Sequence, residues 1–418
     1  MSNFGNATLK LLHLDGNTSL GQPEGERENF LPLHTKDLID YLALHPQLPM
    51  DQRLDFVELS KLIPALLHHR YRQRFETTTH LYAPLDPDRD RLLRSVPVGK
   101  ERDRLAEELF DDLAQTLEDA NYHKLSPQDI QNALNASSKW GVRMRVGFRS
   151  LRRLEVYGRG LAIGKRNFRN WKSFFRLEQL EVPLYQRLVV VFRVHENAQS
   201  SEHDPQRVYL RMFKNVPQQD IDMMLPATGV QMTWLDHSRI VVPSLYAIAI
   251  TFWRFVRNVM LLAFFGVFKS LALLVFALFA IGYGLKSMFT SRFATQQKYM
   301  LSMTQSLYYQ NLDNNLGVLL RLLEEGEQQE AGEAILAYFV AALVFQGRPI
   351  DLDTLDLECE RILREACGIE VDFDVHRTAR TLAELGVLRL DLDGWRAVEM
   401  RHALAELNGN WDARFQQQ

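Results

Sequence analysis

Cysteine is scarce in this 418-residue sequence, where only Cys359 and Cys367 occur. Two cysteines cannot form the disulfide framework that stabilises small secreted domains. If both lie on one helix, about 12 Å separates them along its axis, which is too far for a disulfide bond. We therefore predict two buried thiols in a reducing compartment.

Targeting signals are also missing from the start of the sequence. Residues 1–29 are polar and rich in Gly, Asn and Glu. They have neither the apolar core of a secretory signal nor the Arg-rich, acid-poor composition of a mitochondrial transit peptide. We predict that they are disordered or loosely ordered, so that membrane insertion would depend on an internal segment.

Recognisable catalytic, metal and cofactor motifs are lacking too. Gly158, Gly160 and Gly164 have the wrong spacing for a phosphate-binding loop and are more typical of a hairpin turn. His68 and His69 are adjacent, so on a helix they point about 100° apart, and no third ligand stands at a matching position. We therefore predict no catalytic residue, no metal site and no cofactor, and the sequence favours a protein that is not an enzyme.

Hydrophobic periodicity divides the first half of the chain into two domains. Residues 30–140 repeat apolar residues at helical spacing, which predicts a helical domain. Residues 141–236 contain short alternating stretches such as RLVVVFRV and RVYLRMF, which predict a small, mostly antiparallel sheet. A helix that begins at Pro217 and ends at Pro226 interrupts this sheet.

The last part of the chain is predicted to be helical again. Residues 294–345 form a helical segment, and residues 350–418 have the order helix, helix, hairpin of a winged-helix unit. The helices of that unit lie near 353–367 and 373–385, and an Asp-Gly turn joins its two strands.

The segment 240–289 is the most apolar part of the sequence, and only Arg254, Arg257 and Lys269 interrupt it. A membrane-spanning helix needs about 20 apolar residues. A single helix from 258 to 285 would carry Lys269 near the bilayer centre, at a cost of about 2.5–3.5 kcal/mol.

We favour a transmembrane hairpin with helices at about 240–257 and 267–288, because it places these three basic residues together at the far interface. The sequence then predicts an α+β membrane protein. It has a helical N-terminal domain, a small mostly antiparallel sheet domain, the transmembrane hairpin, and a helical C-terminal domain ending in the winged-helix-like unit.

Charge is distributed unevenly on either side of the apolar segment. Residues 142–176 contain eleven basic residues and one acidic residue, for a net charge of +10, whereas residues 311–418 carry −11. The basic segment could be a solvated sheet face, could bind anionic lipid headgroups, or could dock on the acidic C-terminal region of the same chain. The candidate contacts with an anionic surface are Arg143, Arg145, Arg149, Arg152, Arg153, Lys165, Arg166, Arg169 and Lys172.

Nucleic acid is a weaker candidate partner than lipid or protein. Basic residues interleaved with aromatic ones suit single strands, but a membrane protein meets lipid first. In the winged-helix-like unit Arg377 and Arg380 stand on the candidate recognition helix, where Asp372, Asp374 and Glu384 cancel their charge. Phosphate would be repelled there, so we predict that this unit binds a protein.

Several stretches resemble one family of uncharacterised membrane proteins, catalogued as domain of unknown function 3754, which includes the mitochondrial transmembrane protein 143. The resemblance lies in LRMFKNVPQQDIDMMLP, in GVQMTWLDHSRIVVPSL and in SLYYQNLDNNLGVLLRLLEEGEQQEAGEAILAYF, and it extends from about Asn29 onward. It implies a membrane protein with two spanning helices and no assigned activity. Its signature residues here are Phe213, Lys214, Asn215, Pro217, Asp220, Leu225, Pro226, Tyr309, Leu312, Asp313, Asn314 and Asn315.

These observations together predict a non-enzymatic, membrane-anchored interaction or regulatory protein. Its basic sheet would bind anionic lipid or its own acidic C-terminal region, and its location would be a bacterial inner membrane with the other domains on the cytoplasmic side, or an organelle membrane in a eukaryote. The alternatives are an enzyme or carrier that acts on a lipid or membrane-embedded substrate, and a channel subunit whose pore is lined by Arg254, Arg257 or Lys269.

Overall fold

A computed structural model describes residues 27–89, 98–137, 143–146, 148–169, 177–196, 203–226, 228–231 and 308–415, with isolated residues between 246 and 305. The chain divides into two compact units. The larger unit comprises Leu14–Ser126, Arg149–Gln218 and Gln310–Gln418, and the smaller one comprises Met1–His13, Pro127–Phe148 and Gln219–Tyr309.

The larger unit contains a five-stranded antiparallel sheet with the strand order β1-β3-β4-β5-β7. β3 and β4 form a long hairpin, in which Gly158 pairs with Leu188 and Arg169 with Leu177. The strands are β1 (His123–Lys124), β3 (Leu151–Arg169), β4 (Leu177–Val194), β5 (Tyr209–Pro217) and β7 (Asn311–Asn314).

The helices of the larger unit form a second layer beside this sheet. They are α1 (Thr35–Ala43), α2 (Arg53–Tyr82), α3 (Lys100–Asp119), α6 (Leu316–Phe339), α7 (Leu352–Cys367), α8 (Val375–Glu384) and α9 (Met400–Phe415). The helix α6 continues into a π-helical turn at Val340–Val344. It packs against α1, α2, α3 and α8, so it is the central helix of this unit.

One hydrophobic core lies between the sheet and parts of α2, α3 and α6. Alternate residues of β4 and β5 point into it, including Val189 and Val191, and Leu210 and Met212. They meet apolar residues of α3 and of the first half of α6, such as Leu113. Alternate side chains of the strands and the side chains at helical spacing in α3 therefore pack together in one buried layer.

A second core joins the second half of α6 to α1, α2 and the C-terminal unit. That unit has the order of a winged helix: the end of α6, an extended residue at Ile350, then α7, α8 and the strands β8 (Leu388–Asp391) and β9 (Gly394–Ala397). Ile350 pairs with Trp395 and adds a third, one-residue strand beside β9. The helices predicted near 353–367 and 373–385 correspond to α7 and α8.

The turn between β8 and β9 differs by one residue from the predicted Asp-Gly turn. Asp391 pairs with Gly394, so Leu392 and Asp393 are the two loop residues and Gly394 opens β9. Gly394 has φ 131°, and a Cβ there would come within 2.9 Å of the carbonyl oxygen of Ile350. Glycine is therefore required because the strand at Ile350 passes so close.

The smaller unit is described by four short elements. They are α4 (Pro127–Ser137), β2 (Arg143–Val146), α5 (Ile221–Met224) and β6 (Thr228–Gln231). β2 pairs with β6 in antiparallel register. The predicted helix from Pro217 to Pro226 is thus shortened to one turn, because Pro217 is the last residue of β5 and a 3₁₀ turn at Gln218–Asp220 follows it.

The prediction of a membrane protein is wrong for the described part of the chain, where no helix combines the length and the apolarity that crossing a membrane requires. The two longest helices there, α2 and α6, are charged along their length, and α6 alone carries five glutamates. The predicted transmembrane hairpin, at about 240–257 and 267–288, lies almost entirely outside the described residues. The same holds for the predicted disorder of residues 1–29, of which only the last three are described.

Candidate functional site

A cluster of four side chains joins the sheet to the central helix. Glu325 of α6 accepts hydrogen bonds from Tyr122 Oη at 2.7 Å, from Arg159 Nη2 at 2.6 Å and from Arg187 Nε at 3.3 Å. We call Tyr122, Arg159, Arg187 and Glu325 the Glu325 cluster. Two guanidinium groups therefore share one carboxylate, and the cluster carries one positive charge in excess.

Arg159 is held rigidly within this cluster. Its guanidinium lies between two rings, with Cζ 5.0 Å from the ring centre of Phe30 and 4.6 Å from that of Tyr122. Its Nη1 donates to the carbonyl oxygen of Ala120 at 3.1 Å. The residue is only 8% exposed, and no described residue accepts a hydrogen bond from its Nε. A buried cation with an unused donor is uncommon, because desolvation is costly.

Two more glutamates of α6 are buried one and two turns further along. Glu330 accepts hydrogen bonds from Tyr71 Oη at 2.9 Å and Thr381 Oγ1 at 2.6 Å, and it forms an ion pair with Arg70. Burial acts to raise the pKa of Glu330, but the hydrogen bond from Arg70 and the other partners outweigh it and leave the pKa below its ordinary value.

Glu333 is the most deeply buried of these acids, at 2% exposure. It accepts hydrogen bonds from Arg377 Nη2 at 2.9 Å, Gln329 Nε2 at 2.7 Å and Asn121 Nδ2 at 3.2 Å. Arg377 also donates through Nη1 to the carbonyl oxygen of Asp119 at 3.0 Å. This buried carboxylate thus joins α6 to α8 through Arg377 and to the residues after α3 through Asn121.

These contacts pack one side of α8, the helix predicted as a candidate recognition helix, against α6. Thr378 and Thr381 lie against the glutamates of α6, and Arg377 is held by Glu333. His376, Arg380 and the last two residues of α8 are exposed. Part of this helix is therefore occupied by contacts within the chain.

The hairpin β8–β9, which we call the wing, is in contrast exposed and apolar at its tip. Leu390 is 65% exposed, and Leu392 is fully exposed in the loop. A groove of about 590 Å³ lies between the wing and α9. Its charged residues are paired, Arg389 with Glu406 and Arg396 with Asp391, so the groove is close to neutral.

The two signature blocks that carry the family resemblance meet in the sheet. β7, which contains Leu312, Asp313 and Asn314, pairs with β5 through Arg211, Met212 and Phe213. Gln310 Nε2 also donates to the carbonyl oxygen of Asn215 at 3.3 Å. The predicted helical segment 294–345 included these residues; the structure has a strand there because they pair with β5 at the edge of the sheet.

The remaining signature residues have separate positions. Lys214 is exposed on β5, Asn215 has φ 50°, and Tyr309 is 59% exposed. Asp220, Leu225 and Pro226 are buried in the smaller unit. The structure therefore does not gather the signature residues into one site.

Three basic side chains of the segment 142–176 are described, and two of them form ion pairs with α3. Arg152 donates to Asp103 at 2.8 Å, and Arg153 pairs with Glu107. The hydrogen bond from Arg152, together with that from Arg193, holds the pKa of Asp103 below its ordinary value. The third, Arg159, contacts the acidic segment 311–418 through Glu325.

Other predicted site residues lie on strands or outside the described residues. Arg143 and Arg145 are on β2, and Arg149 is in a 3₁₀ turn. Lys165, Arg166 and Arg169 belong to the second half of β3. Arg257 is an exposed helical residue, whereas Lys172, Arg254 and Lys269 lie outside the described residues.

The described residues include no cluster of metal ligands, and the thiol of Cys359 is not activated. Within the described ranges no three His, Cys, Asp or Glu side chains are arranged to hold a metal ion. His68 instead forms a pair with Glu327 at 3.0 Å. Burial raises the pKa of the Cys359 thiol well above its ordinary value, which makes it a poor nucleophile.

Comparison with known families supports the resemblance over part of the chain. Residues 185–317 match the model of a family described as protein of unknown function, DUF3754. The match runs from Tyr185 in β4 to Gly317 at the start of α6, so it includes β5, β7 and Arg187 of the Glu325 cluster. The prediction of this resemblance is confirmed for that segment.

The family description states no activity and no membrane location. No solved structure matches the chain. The predicted partners and the predicted location therefore stay predictions.

Sequence reasoning missed the half-buried Glu325 and the buried Glu330 and Glu333 of α6. Glu330 and Glu333 are three residues apart and so are neighbours on the helix surface, whereas Glu325 faces a different direction. The available signal was AGEAILAYF, in which Glu333 is the one charge in an apolar run. The partners of these glutamates, Tyr122, Arg159 and Arg377, lie too far away in the sequence to be paired from it.

Proposed function

We propose that this chain is a non-enzymatic interaction protein that binds a protein partner through the wing of its C-terminal winged-helix unit. The observation that carries the proposal is the reversed exposure of this unit: α8 is buried on α6, while the wing exposes two leucines. In a winged helix arranged in this way, contacts within the chain occupy part of the helix that would otherwise read DNA, and the wing stays exposed for a protein partner.

The chemistry of the wing favours an apolar, extended partner segment. β8 is the outer strand of its small sheet, because β9 lies on one side of it and no other described strand on the other. An open strand edge can pair with a further strand, and adjacent apolar side chains then supply specificity. Leu390 on β8 and Leu392 in the adjoining loop are exposed, so they would contact the apolar side chains of a strand added at this edge.

The basic residues of the sheet have a different role in this proposal. Arg152, Arg153 and Arg159 contact acidic residues of α3 and α6 within the chain. These ion pairs support a sheet that docks on its own helices, and they leave the wing as the surface for an external partner.

Site-specific photo-crosslinking in cells of the source organism tests the role of the wing. A photo-reactive amino acid in place of Leu392 should yield a discrete crosslinked protein, and Leu390→Ser in the same chain should reduce its yield about fivefold or more. The matched control replaces Leu357 of α7, which is similarly exposed at 67%, and should not yield this product.

Two results would contradict the proposal. One is the same crosslinked protein from positions 392 and 357, which would mean that the wing has no special role. The other is binding of duplex DNA that the charge-neutralising variant Arg380→Gln abolishes, because the exposed part of α8 would then read nucleic acid after all.

A further inference from the structure

A pocket in the larger unit lies directly beside the Glu325 cluster. Residues 30–34, the β3–β4 hairpin and the first half of α6 surround a cavity of about 340 Å³. This volume falls in the range of about 300–1,000 Å³ that small-molecule sites occupy. The wall is more polar than apolar, and three of its side chains are arginines: Arg159, Arg187 and Arg321.

Two of these arginines offer hydrogen-bond donors that the described residues leave unused. Arg187 donates through Nε to Glu325 and through Nη1 to the carbonyl oxygen of Gln186, which leaves Nη2. Arg321 donates through Nε to Asp313, which leaves both Nη1 and Nη2. Their side chains are 31% and 37% exposed, so these donors are accessible from the cavity.

Both arginines are held in place by partners that point away from the free donors. Glu325 fixes Arg187, and the same carboxylate is fixed in turn by Tyr122 and by the buried Arg159. Asp313 of β7 fixes Arg321. Because the guanidinium groups are positioned before a ligand arrives, binding loses less conformational entropy than it would with free arginines.

We propose that this pocket binds a small metabolite through one carboxylate or phosphate group. A guanidinium presents its N–H groups as a planar fork that matches the oxygens of either group. The lining holds Arg159, Arg187 and Arg321 against Glu324 and Glu325, and Asp313, which pairs with Arg321, balances the third positive charge. An anion would therefore be held by the unused N–H groups of Arg187 and Arg321 rather than by an excess of positive charge.

The rest of the lining restricts the ligand to a small, singly anchored molecule. Glu324 is exposed at the wall and has no described ion-pair partner, so it repels a second negative charge. The amide groups of Gln186 and Gln328 can bond to hydroxyl or amino groups of the ligand. This pattern favours a hydroxy acid, an amino acid or a phosphate monoester over a polyanion.

Calorimetric titration of the full chain with three probes tests the proposal and separates the two anion types. The probes are inorganic phosphate, glycerol phosphate and lactate. At least one should bind with a Kd below about 1 mM. Stronger binding of glycerol phosphate identifies a phosphate monoester site, and stronger binding of lactate identifies a carboxylate site. Saturable binding of none of the three overturns the proposal.

Two variants with opposite expected effects show whether the binding occurs in this pocket. Arg321→Gln should weaken the best probe about tenfold or more, because it removes the free charged donors. Glu324→Gln should strengthen it roughly two- to fivefold, because it removes a repelling charge near the anion. Arg389→Gln, which alters an exposed ion pair outside the pocket, in the wing, should leave the Kd unchanged.

Thermal unfolding recorded for each variant shows whether the fold is retained, which matters most for Arg321→Gln because it also removes the ion pair with Asp313 of β7. Unchanged binding in Arg321→Gln, or equal weakening in Arg321→Gln and Arg389→Gln, overturns the assignment to this pocket. Failure of this test leaves the wing proposal unaffected, because the wing and the pocket share no residue.

Discussion

At the scale of single residues, Asn315 links the two signature blocks of the family through its backbone and its side chain. Its N–H donates to the carbonyl oxygen of Leu210 at 2.8 Å, and its Oδ1 accepts from Leu210 N–H at 3.2 Å. Its Nδ2 donates to Asp88 at 2.6 Å. The residue has φ 51° and ψ −120°, a positive-φ conformation that residues other than glycine rarely adopt.

Replacing Asn315 should therefore destabilise the larger unit. Asn315→Ala removes two side-chain hydrogen bonds and places alanine at a positive φ, so the free energy of unfolding should fall by about 2–3 kcal/mol. Urea unfolding followed by circular dichroism measures this change. Asn314→Ala is the matched control, because that neighbouring asparagine is exposed on β7. A loss of equal size in both variants would show that the hydrogen bonds of Asn315 contribute nothing specific.

Asp356 illustrates a residue whose environment opposes its charge. Burial raises its pKa to about 6, and the nearby carboxylates of Glu360 and Asp372 add to the shift, whereas Arg27 opposes it. No described residue hydrogen-bonds to its buried Oδ1. Between its ordinary pKa of 3.8 and about 6, the folded chain holds this proton while the unfolded chain releases it.

Stability attributable to Asp356 should consequently decrease as the pH rises from about 4 to about 6 and stay lower above that. Asp356→Asn removes the charge, so it should raise the free energy of unfolding at pH 7 by about 1 kcal/mol, allowing for solvent screening of this partly exposed group. The gain should vanish near pH 4 in urea titrations at several pH values. Asp353→Asn, at an exposed site one turn earlier on α7, should show no gain at any pH.

Sequence reasoning located Asn315 within a signature block but could not assign its role. The residues that bond to it, Leu210 and Asp88, are 105 and 227 positions away. No local period or turn rule connects such distant groups. The same limit applies to Asp356, whose neighbours Asp372 and Arg27 come from other segments.

At the scale of secondary-structure elements, α6 organises the larger unit by polar contacts as well as apolar ones. Its first half meets the sheet through Glu325, and its second half meets α2 and α8 through Glu330 and Glu333. Two buried carboxylates and the half-buried Glu325 on one helix thus select which elements pack on it. Apolar packing alone would tolerate rotation or sliding of these helices more readily.

Removing the carboxylate of Glu333 should loosen α8. Glu333→Ala leaves Arg377, Gln329 and Asn121 without their shared acceptor, and breaking a buried pair from one side costs about 3–5 kcal/mol. Urea unfolding should show this loss, and amide exchange should accelerate in α8 first. Glu365→Ala on α7 is the control, because its ion pair with Arg361 is exposed and should contribute less than about 1 kcal/mol. Equal effects of the two variants would mean that burial of the pair is unimportant.

Elements with strong local signals could be predicted, and those without could not. The helical period gave α7 and α8 to within a few residues, and the Asp-Gly pair indicated the β8–β9 turn to within one. In contrast, β7 has three polar residues and one leucine and shows no alternating pattern. It is a strand because it pairs with β5. Pro217 suggested the start of a helix from its local sequence. In the structure it ends β5, and this role depends on the pairing of β5 with β4, which the local sequence does not reveal.

At the scale of the whole molecule, an α+β architecture could be expected from the sequence, whereas its long-range assembly could not. The sheet order joins segments on both sides of the region 219–309. Charge totals of +10 and −11 made intramolecular pairing one of three interpretations of the basic segment. They could not specify that Arg152 and Arg153 bind α3, because α3 belongs to neither charged segment.

The pairing of β5 with β7 has a consequence for the timing of folding during synthesis. Roughly 90 residues separate the two strands, and a ribosome adds about 5–20 residues per second. The outer edge of β5 is therefore unpaired for roughly 5–20 s after its synthesis, and its backbone hydrogen-bonding groups are exposed to other chains in that time. The nascent chain is most vulnerable to misassembly in this interval, which ends when Asn311–Asn314 leave the ribosome and α6 follows to cover the sheet.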